Sequence, residues 1–402
     1  METYIYTSEN FNANMTVLFL SYNHGNNRLA DSIQNTRLIY ELSKGVNVDI
    51  VYRSRHKKRR IDNYIPVSSL DLSFIDRIIY KIFPFLKTII SLDVLLWSIC
   101  ACYSIKKGRK HYDVCMATYE PYSTRFLPLF LRRIKQNDRI ISIFYDPCTE
   151  NLFFNNSNVA VFLRRKMERD LIVNSDYVVV NNNRLFEKLK QRNGDKNNIV
   201  KIPLCSSSLF NKSDNCGNTS VKRIIITHAG NIHGNRSLLE INKVISDLKQ
   251  KVANLSDKLR IDFYGDCPEN KKKVVVESGN EDVLCFYGTI SQAEINMKLE
   301  KSNILLLLDP MEGNNFSFPS KLCEYFNMKK PIIGLTSQNS VSYDLLCDSK
   351  HLVYNSLNYM DLSKDLKLII DGFFFYDYNR EYYRSFEPSI VSQMYIKLIM
   401  NQ

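Results

Sequence analysis

Residue types able to do chemistry concentrate in one segment, Phe318-Pro-Ser-Lys-Leu-Cys-Glu-Tyr-Phe-Asn-Met-Lys-Lys-Pro-Ile-Ile-Gly334. It follows Asn303-Ile-Leu-Leu-Leu-Leu-Asp-Pro310, whose unbroken apolar run predicts a strand buried on both faces. Glu312-Gly-Asn-Asn315 then reads as the loop leaving the carboxyl end of that strand, the edge where open α/β sheets bind ligands. Pro319 suits a helix start, and Lys321 and Glu324, three apart, share a helix face. The first turn, with Ser320 and Leu322, therefore offers backbone donors beside a cation and a carboxylate. Unpaired N–H groups at a positive dipole end suit a diphosphate, and an ionised Glu that accepts two hydrogen bonds suits a vicinal diol. A nucleoside diphosphate sugar carries both groups. Taken alone, Glu324 reads as a solvated residue of an amphipathic helix, and its neighbours carry the ribose reading.

Another segment, Thr227-His-Ala-Gly-Asn-Ile-His-Gly-Asn-Arg-Ser-Leu-Leu-Glu-Ile241, turns from a strand through glycines into a helix. Gly230, lacking a Cβ, permits a sharp exit and close approach of a ligand. The guanidinium of Arg236 can grip a diphosphate through parallel hydrogen bonds and stabilise charge that develops on a leaving phosphate. A plain first-turn surface cation is the other reading of Arg236.

The Phe318–Gly334 segment resembles the Pro-Ser-Lys-Leu-x-Glu-Tyr-x-x-x-x-Lys-Pro-Ile signature of family four glycosyltransferases, retaining enzymes with the GT-B fold. The Thr227–Ile241 segment is similar to that family's Gly-Arg-Leu…Lys-Gly phosphate loop. Asn231 stands where the pattern commonly has Arg, and Arg236 where it commonly has Lys. The resemblance implies an α/β, GT-B-like fold with two Rossmann-like domains facing across a cleft. It also implies transfer of a hexosyl-type group from a nucleotide-sugar donor to an acceptor hydroxyl, on a polysaccharide or a lipid-linked saccharide, with retention. Glu324 would hold the donor ribose, while Arg236 and Lys321 would stabilise the leaving diphosphate, which itself serves as base. The family's carboxylate pair is spaced Glu-x7-Glu, and the earlier position here is Phe316. Glu312, Gly313 and Asn314 lie in the same loop and are the candidates to reach the donor sugar instead. No Asp-x-Asp occurs in the chain, so neither a metal nor a cofactor is expected, and Arg236, Lys321 and helix dipoles take the metal's place.

In the first half, Phe19-Leu-Ser-Tyr-Asn-His-Gly25 ends a strand in a loop that resembles the family's glycine loop, with His24 and Gly25 as candidates on the acceptor side. His24 is also readable as an ordinary satisfied polar residue. Asp113-Val-Cys-Met-Ala-Thr-Tyr-Glu-Pro121 and Ile140-Ile-Ser-Ile-Phe-Tyr-Asp-Pro147 resemble the family's next strand pair. At a strand's carboxyl end, Asp146 would orient the acceptor hydroxyl or, equally, cap the following turn. Glu120 and Glu150 lie nearby.

These sites need two sheets to position them, and 402 residues exceed one ordinary core. Strand-like runs at residues 16–22, 47–52, 112–119, 139–146, 177–181 and 199–204 alternate with helix-length segments. A further series follows at 223–230, 260–265, 283–288, 303–310, 331–335 and 351–355, so two parallel sheets are expected. The turn-rich stretch 206–220 separates them. That gives an acceptor-side domain over 1–207 and a nucleotide-sugar donor domain over 208–372, with a C-terminal helix in 373–402 returning to the first, as the resemblance implies.

With 54 Lys plus Arg against 42 Asp plus Glu, the net charge of +12 favours anionic partners. The ten Cys show no Cys-x-x-Cys pairing, which points to reduced thiols rather than zinc or a disulfide framework. The polar start, residues 1–15, lacks the pattern of a secretory signal, so a cytoplasmic protein is expected. The apolar run 83–105 is interrupted by Lys87 and Asp93 and reads as a buried helix rather than a membrane span. Basic runs at 57–60, 106–110 and 132–135 keep an anionic membrane surface, the inner face of the cell membrane, among the expected partners. No recognition-helix or aromatic RNA-binding pattern accompanies them, so nucleic acid is not expected. A catalytically silent nucleotide-sugar-binding subunit and a nucleotide-sugar epimerase are the alternative readings.

Overall fold

The computed structural model describes residues 15–25, 29–54, 63–118, 122–149, 157–194, 198–206, 223–373 and 379–401. The chain divides into two compact units, one holding the N-terminal sheet and the chain from Pro388 onward, the other running from Ser206 to Glu387. The separating stretch after Ser206 and the basic run 57–60 lie outside the described residues.

In the first unit the order is β1 (Thr16–Leu20), α1 (Ala30–Leu42), β2 (Asn47–Arg53), β3 (Tyr64–Val67), α2 (Ser73–Ile82), α3 (Leu92–Lys107), β4 (Tyr112–Thr118), α4 (Phe126–Arg133), β5 (Asn137–Phe144), α5 (Asn158–Asn174), β6 (Tyr177–Val180), α6 (Asn183–Asn193) and β7 (Ile199–Lys201). The strands form one seven-stranded sheet, β3-β2-β1-β4-β5-β6-β7, parallel throughout. Alternate residues of β1 feed two cores: Val17 and Phe19 pack with α1, Leu18 and Leu20 with Trp97 and Ala101 of α3. Helices therefore cover both faces, which is why these strands read as unbroken apolar runs. Sequence reading missed β3, which contains Pro66. It is the edge strand, with no further neighbour among the described residues, which is where a missing N–H is tolerated.

The apolar run 83–105 is not one rod: a 3₁₀ turn, Pro84–Thr88, precedes α3. By length and composition Pro84–Lys107 is apolar enough to cross a membrane. Trp97, Ala101 and Ile105 of α3 are nevertheless buried against the sheet, so α3 is a core helix. Among the described residues every cysteine is a free thiol.

The second unit runs β8 (Ile224–Ala229), α7 (Leu239–Lys251), α8 (Leu255–Lys258), β9 (Leu259–Tyr264), α9 (Glu269–Glu277), β10 (Leu284–Gly288), α10 (Gln292–Lys301), β11 (Ile304–Leu308), α11 (Ser320–Asn327), β12 (Ile332–Leu335), α12 (Val341–Asp348), β13 (Leu352–Tyr354), α13 (Asp361–Ile370) and α14 (Arg380–Arg384). Its parallel sheet has the order β10-β9-β8-β11-β12-β13. Strand order reverses between β8 and β11, which leaves a crevice at their carboxyl ends; β1 and β4 make the equivalent point in the first unit.

The last helix, α15 (Pro388–Met400), belongs to the first unit, where Val391, Tyr395 and Ile399 pack with Leu38 and Leu42 of α1. Residues 379–387 stay with the second unit instead. The rings of Phe386 and Tyr383 pack at a tilt on Phe326 of α11, and Tyr383 hydroxyl bonds His351 Nε2 at 2.7 Å. Aromatic packing on α11 thus delays the crossing from residue 373, where sequence reading started the returning segment, to Pro388.

Candidate functional site

At the β8/β11 crevice the strand exits are glycines joined by backbone. Gly230 N–H donates to Tyr264 carbonyl at 2.6 Å, and Gly265 N–H to Gly288 carbonyl at 2.8 Å. Gly265 has φ +129, and a Cβ there would lie 2.4 Å from the carbonyl carbon of Gly230. Only glycine permits that approach of backbone to backbone. At Gly230, φ +154, a Cβ would lie 1.5 Å from Lys321 Nζ. The lysine ammonium thus occupies the space that a side chain at 230 would fill.

Lys321 reaches that point because α11 is tied to both crevice strands. Tyr325 hydroxyl accepts from Ala229 N–H at the end of β8, 2.8 Å, and donates to Leu306 carbonyl of β11, 3.2 Å. Tyr325 is fully buried, and burial pushes its phenol far above the usual range, so the hydroxyl stays a neutral bridge. No side chain caps the start of α11 after Pro319. Leu322 spends its N–H on Pro319 carbonyl, 2.9 Å, and buries its side chain completely, so its part is in packing rather than as a free donor. Ser320, Lys321 and Glu324 are half-buried along the exposed side of this helix.

Arg236 arrives from the β8–α7 loop. Its Nε donates to Leu308 carbonyl at 3.1 Å, and its guanidinium lies 3.6 Å from Asp309. Asp309 is buried at the end of β11 and accepts from Asn315 Nδ2 at 2.9 Å and Ser342 Oγ at 2.8 Å. Burial pushes the Asp309 carboxyl up, while Arg236, Ser342 and Asn315 oppose the shift. Burial, with repulsion from Arg236, pushes the Lys321 ammonium down to about 8. Among the described residues no carboxylate pairs with Lys321. His228 sits beneath the pair: burial, and then the charge of Lys321, push it down to about 3, so it is neutral. Its Nδ1–H donates to Leu306 carbonyl, 2.9 Å, and buried Nε2 has no hydrogen-bond partner among the described residues. Two cations, one buried carboxylate and an uncapped helix start leave the crevice short of negative charge, which suits a polyanion such as a diphosphate.

The structure brings Gly230, Arg236 and Lys321 together from segments about ninety residues apart. Asn231 is exposed and accepts from Asp266 N–H at 2.9 Å, which shapes the loop. Glu312 and Asn314 are exposed on the β11–α11 loop; Gly313 (φ +79) accepts from Ser337 Oγ at 2.7 Å, and Asn315 bridges to Ser340. Phe316 is half-buried. In the first unit His24 and Gly25 (φ +81) follow β1, and half-buried Asp146 follows β5, so all three lie at one sheet's carboxyl edge with β4 between. The His24 ring packs against Tyr52 and Tyr64, its buried Nδ1 has no hydrogen-bond partner among the described residues, and burial pushes its pKa down. Glu120 and Glu150 lie outside the described residues. Sequence reading gave no role to His228, Asp309 or Tyr325. Asp309 was findable as an acid ending a wholly apolar strand, but nothing in the sequence shows that Tyr325 reaches two strands. Among the described residues no three His, Cys, Asp or Glu side chains group to hold a metal ion.

Two parallel Rossmann-like sheets in this order define the GT-B fold class, and solved structures agree. WaaB, described as a lipopolysaccharide outer core galactosyltransferase, in its apo form, is 15% identical with TM-score 0.60 over 96% of this chain and 99% of that chain. Anabaena HepE in complex with UDP is 10% identical with TM-score 0.59 over 96% and 97%. Sucrose-phosphate synthase from Thermosynechococcus elongatus is 12% identical with TM-score 0.62 over 96% and 100%. At these identities the likeness establishes the fold. No family model matches the sequence, and no curated protein matches it.

Proposed function

We propose that the protein is a cytoplasmic glycosyltransferase that moves a hexose from a nucleotide sugar to a hydroxyl of a polysaccharide or lipid-linked saccharide, with retention and without a metal. One observation carries the reading: Lys321 Nζ lies against Gly230 beside the uncapped start of α11, with Arg236 close enough to repel it. The donor diphosphate would lie against that helix start, between the two cations, with the ribose diol on Glu324. Glu312, Gly313 and Asn314 would face the sugar. As the anomeric C–O bond breaks, negative charge grows on the leaving phosphate, and fixed cations stabilise it more in the transition state than in the ground state. The leaving phosphate takes the proton of the acceptor hydroxyl while the new C–O bond forms on the same face, so no enzymic nucleophile is needed. His24 and Asp146 would serve the acceptor side. A cell-surface glycan such as capsule or lipopolysaccharide is the expected product, built at the inner face of the cell membrane.

Thermal-shift screening against UDP, GDP, ADP and CMP sugars tests the donor half, because a ligand at a hundred times its Kd adds about 2.7 kcal/mol. UDP sugars come first, since three of the similar structures hold UDP or a UDP sugar. Product formation with a lipid-linked acceptor, unchanged by EDTA, tests the rest. Binding without turnover would favour the silent subunit, and no stabilisation by any nucleotide sugar would contradict the reading.

A further inference from the structure

Helix α2 is oriented against the usual rule for a soluble amphipathic helix. At 3.6 residues per turn, Phe74, Ile78, Ile82 and Ile75 fall within about 100° of arc, a single apolar stripe. That stripe points outward: Phe74 is 66% exposed, Ile78 45% and Ile82 64%. The opposite side presents Asp76, which is buried. Its carboxylate accepts from Ser91 Oγ at 2.6 Å and Leu92 N–H at 2.8 Å, at the start of α3. Tyr80, also inward, donates to Ile90 carbonyl at 2.9 Å. Polar contacts therefore clamp the helix with its hydrocarbon outward, and half-exposed Phe83 extends the stripe past the helix end. Exposed Arg77 and Lys81 border the stripe on one side, Lys81 about 20° and Arg77 about 60° beyond Phe74 at its edge.

We infer that α2 is an interfacial helix that seats the first unit on an anionic lipid bilayer. An apolar stripe edged by cations, on a helix too short to span, fits the boundary between acyl chains and acidic headgroups. The stripe would enter the acyl region, and Arg77 and Lys81 would stay at headgroup level. This deepens the membrane-side reading above, by naming the device, yet it rests on the exposed face alone and can fail separately from sugar transfer.

The test is co-sedimentation of the full chain with phosphatidylglycerol-containing vesicles and with phosphatidylcholine vesicles, at low and high salt. The wild-type chain should bind the acidic vesicles, with binding weakened by salt. Phe74→Ser/Ile78→Ser/Ile82→Ser should lose at least about tenfold in affinity, given the area removed from the acyl region. Arg77→Glu/Lys81→Glu should lose about fivefold per residue at low salt. Because every altered residue is exposed, both variants should keep the wild-type Tm and nucleotide affinity. Equal binding by the triple variant, or equal binding to neutral vesicles, would overturn the inference. So would a wild-type dimer that the triple variant dissolves without any vesicle binding, since that makes a second copy the occupant. Vesicle binding by a chain that binds no nucleotide sugar would leave α2 in place and remove the transferase reading instead.

Discussion

The carboxyl edges of the two sheets carry their candidate residues in different ways. In the second unit the crevice is braced by cross-links: Tyr325 ties α11 to β8 and β11, Asp309 is held by Ser342 and Asn315, and Gly265 rests on Gly230. In the first unit His24 and Asp146 sit on loops after β1 and β5, and the ring of His24 is held mainly by aromatic packing. A site that must stabilise growing phosphate charge gains from groups fixed in place beforehand. One that receives a variable hydroxyl does not need the same rigidity. Substitutions on the second unit's edge should accordingly cost stability and nucleotide binding together, while those on the first unit's edge should weaken use of the acceptor with no loss of stability.

The largest break in that contrast should come from Gly265→Ala. Its Cβ meets the backbone of Gly230 and its φ disfavours an L side chain, so we expect a loss of roughly 2–4 kcal/mol and of nucleotide binding, read by denaturant unfolding and calorimetry. Tyr325→Phe should follow. It leaves Ala229 N–H buried without an acceptor, costs about 1–3 kcal/mol, and loosens donor affinity through the displaced helix. His24→Ala should have the smallest effect. Acceptor KM should rise about two- to tenfold, the worth of one neutral hydrogen bond, with Tm and nucleotide affinity unchanged. A large stability loss in the His24 variant would erase the contrast between the two edges.

How much of this was legible in sequence depends on what each residue touches. Among the described residues, twelve of the thirteen strands announced themselves as apolar runs, and β3 escaped because an edge strand tolerates Pro66. Lys321 and Arg236 were readable because each lies in a local turn-to-helix pattern. Asp309 was readable only as an acid ending an apolar strand and Tyr325 not at all, because their roles arise from contacts between distant segments, as in the bond from Ala229 to Tyr325 across ninety-six residues. The outward face of α2 was hidden for the same reason: periodicity reveals a stripe, but only the hydrogen bonds of Asp76 show which way it turns.

The most direct measurement is the affinity of UDP against pH for the wild-type chain and Lys321→Met. The Lys321 ammonium, held near 8 rather than its ordinary 10.5, is charged below that pH. Between about 8 and 10.5 the unfolded chain binds the extra proton, so this group lets the unliganded protein gain stability as pH rises through that window, while diphosphate binding has the opposite preference. Wild-type affinity should therefore fall as pH rises through about 8. The variant should bind roughly tenfold to a hundredfold more weakly at pH 7, the worth of one charged hydrogen bond, with no such dependence. A variant that binds UDP as tightly as wild type at every pH would contradict the convergence of Lys321 and Arg236 on a diphosphate.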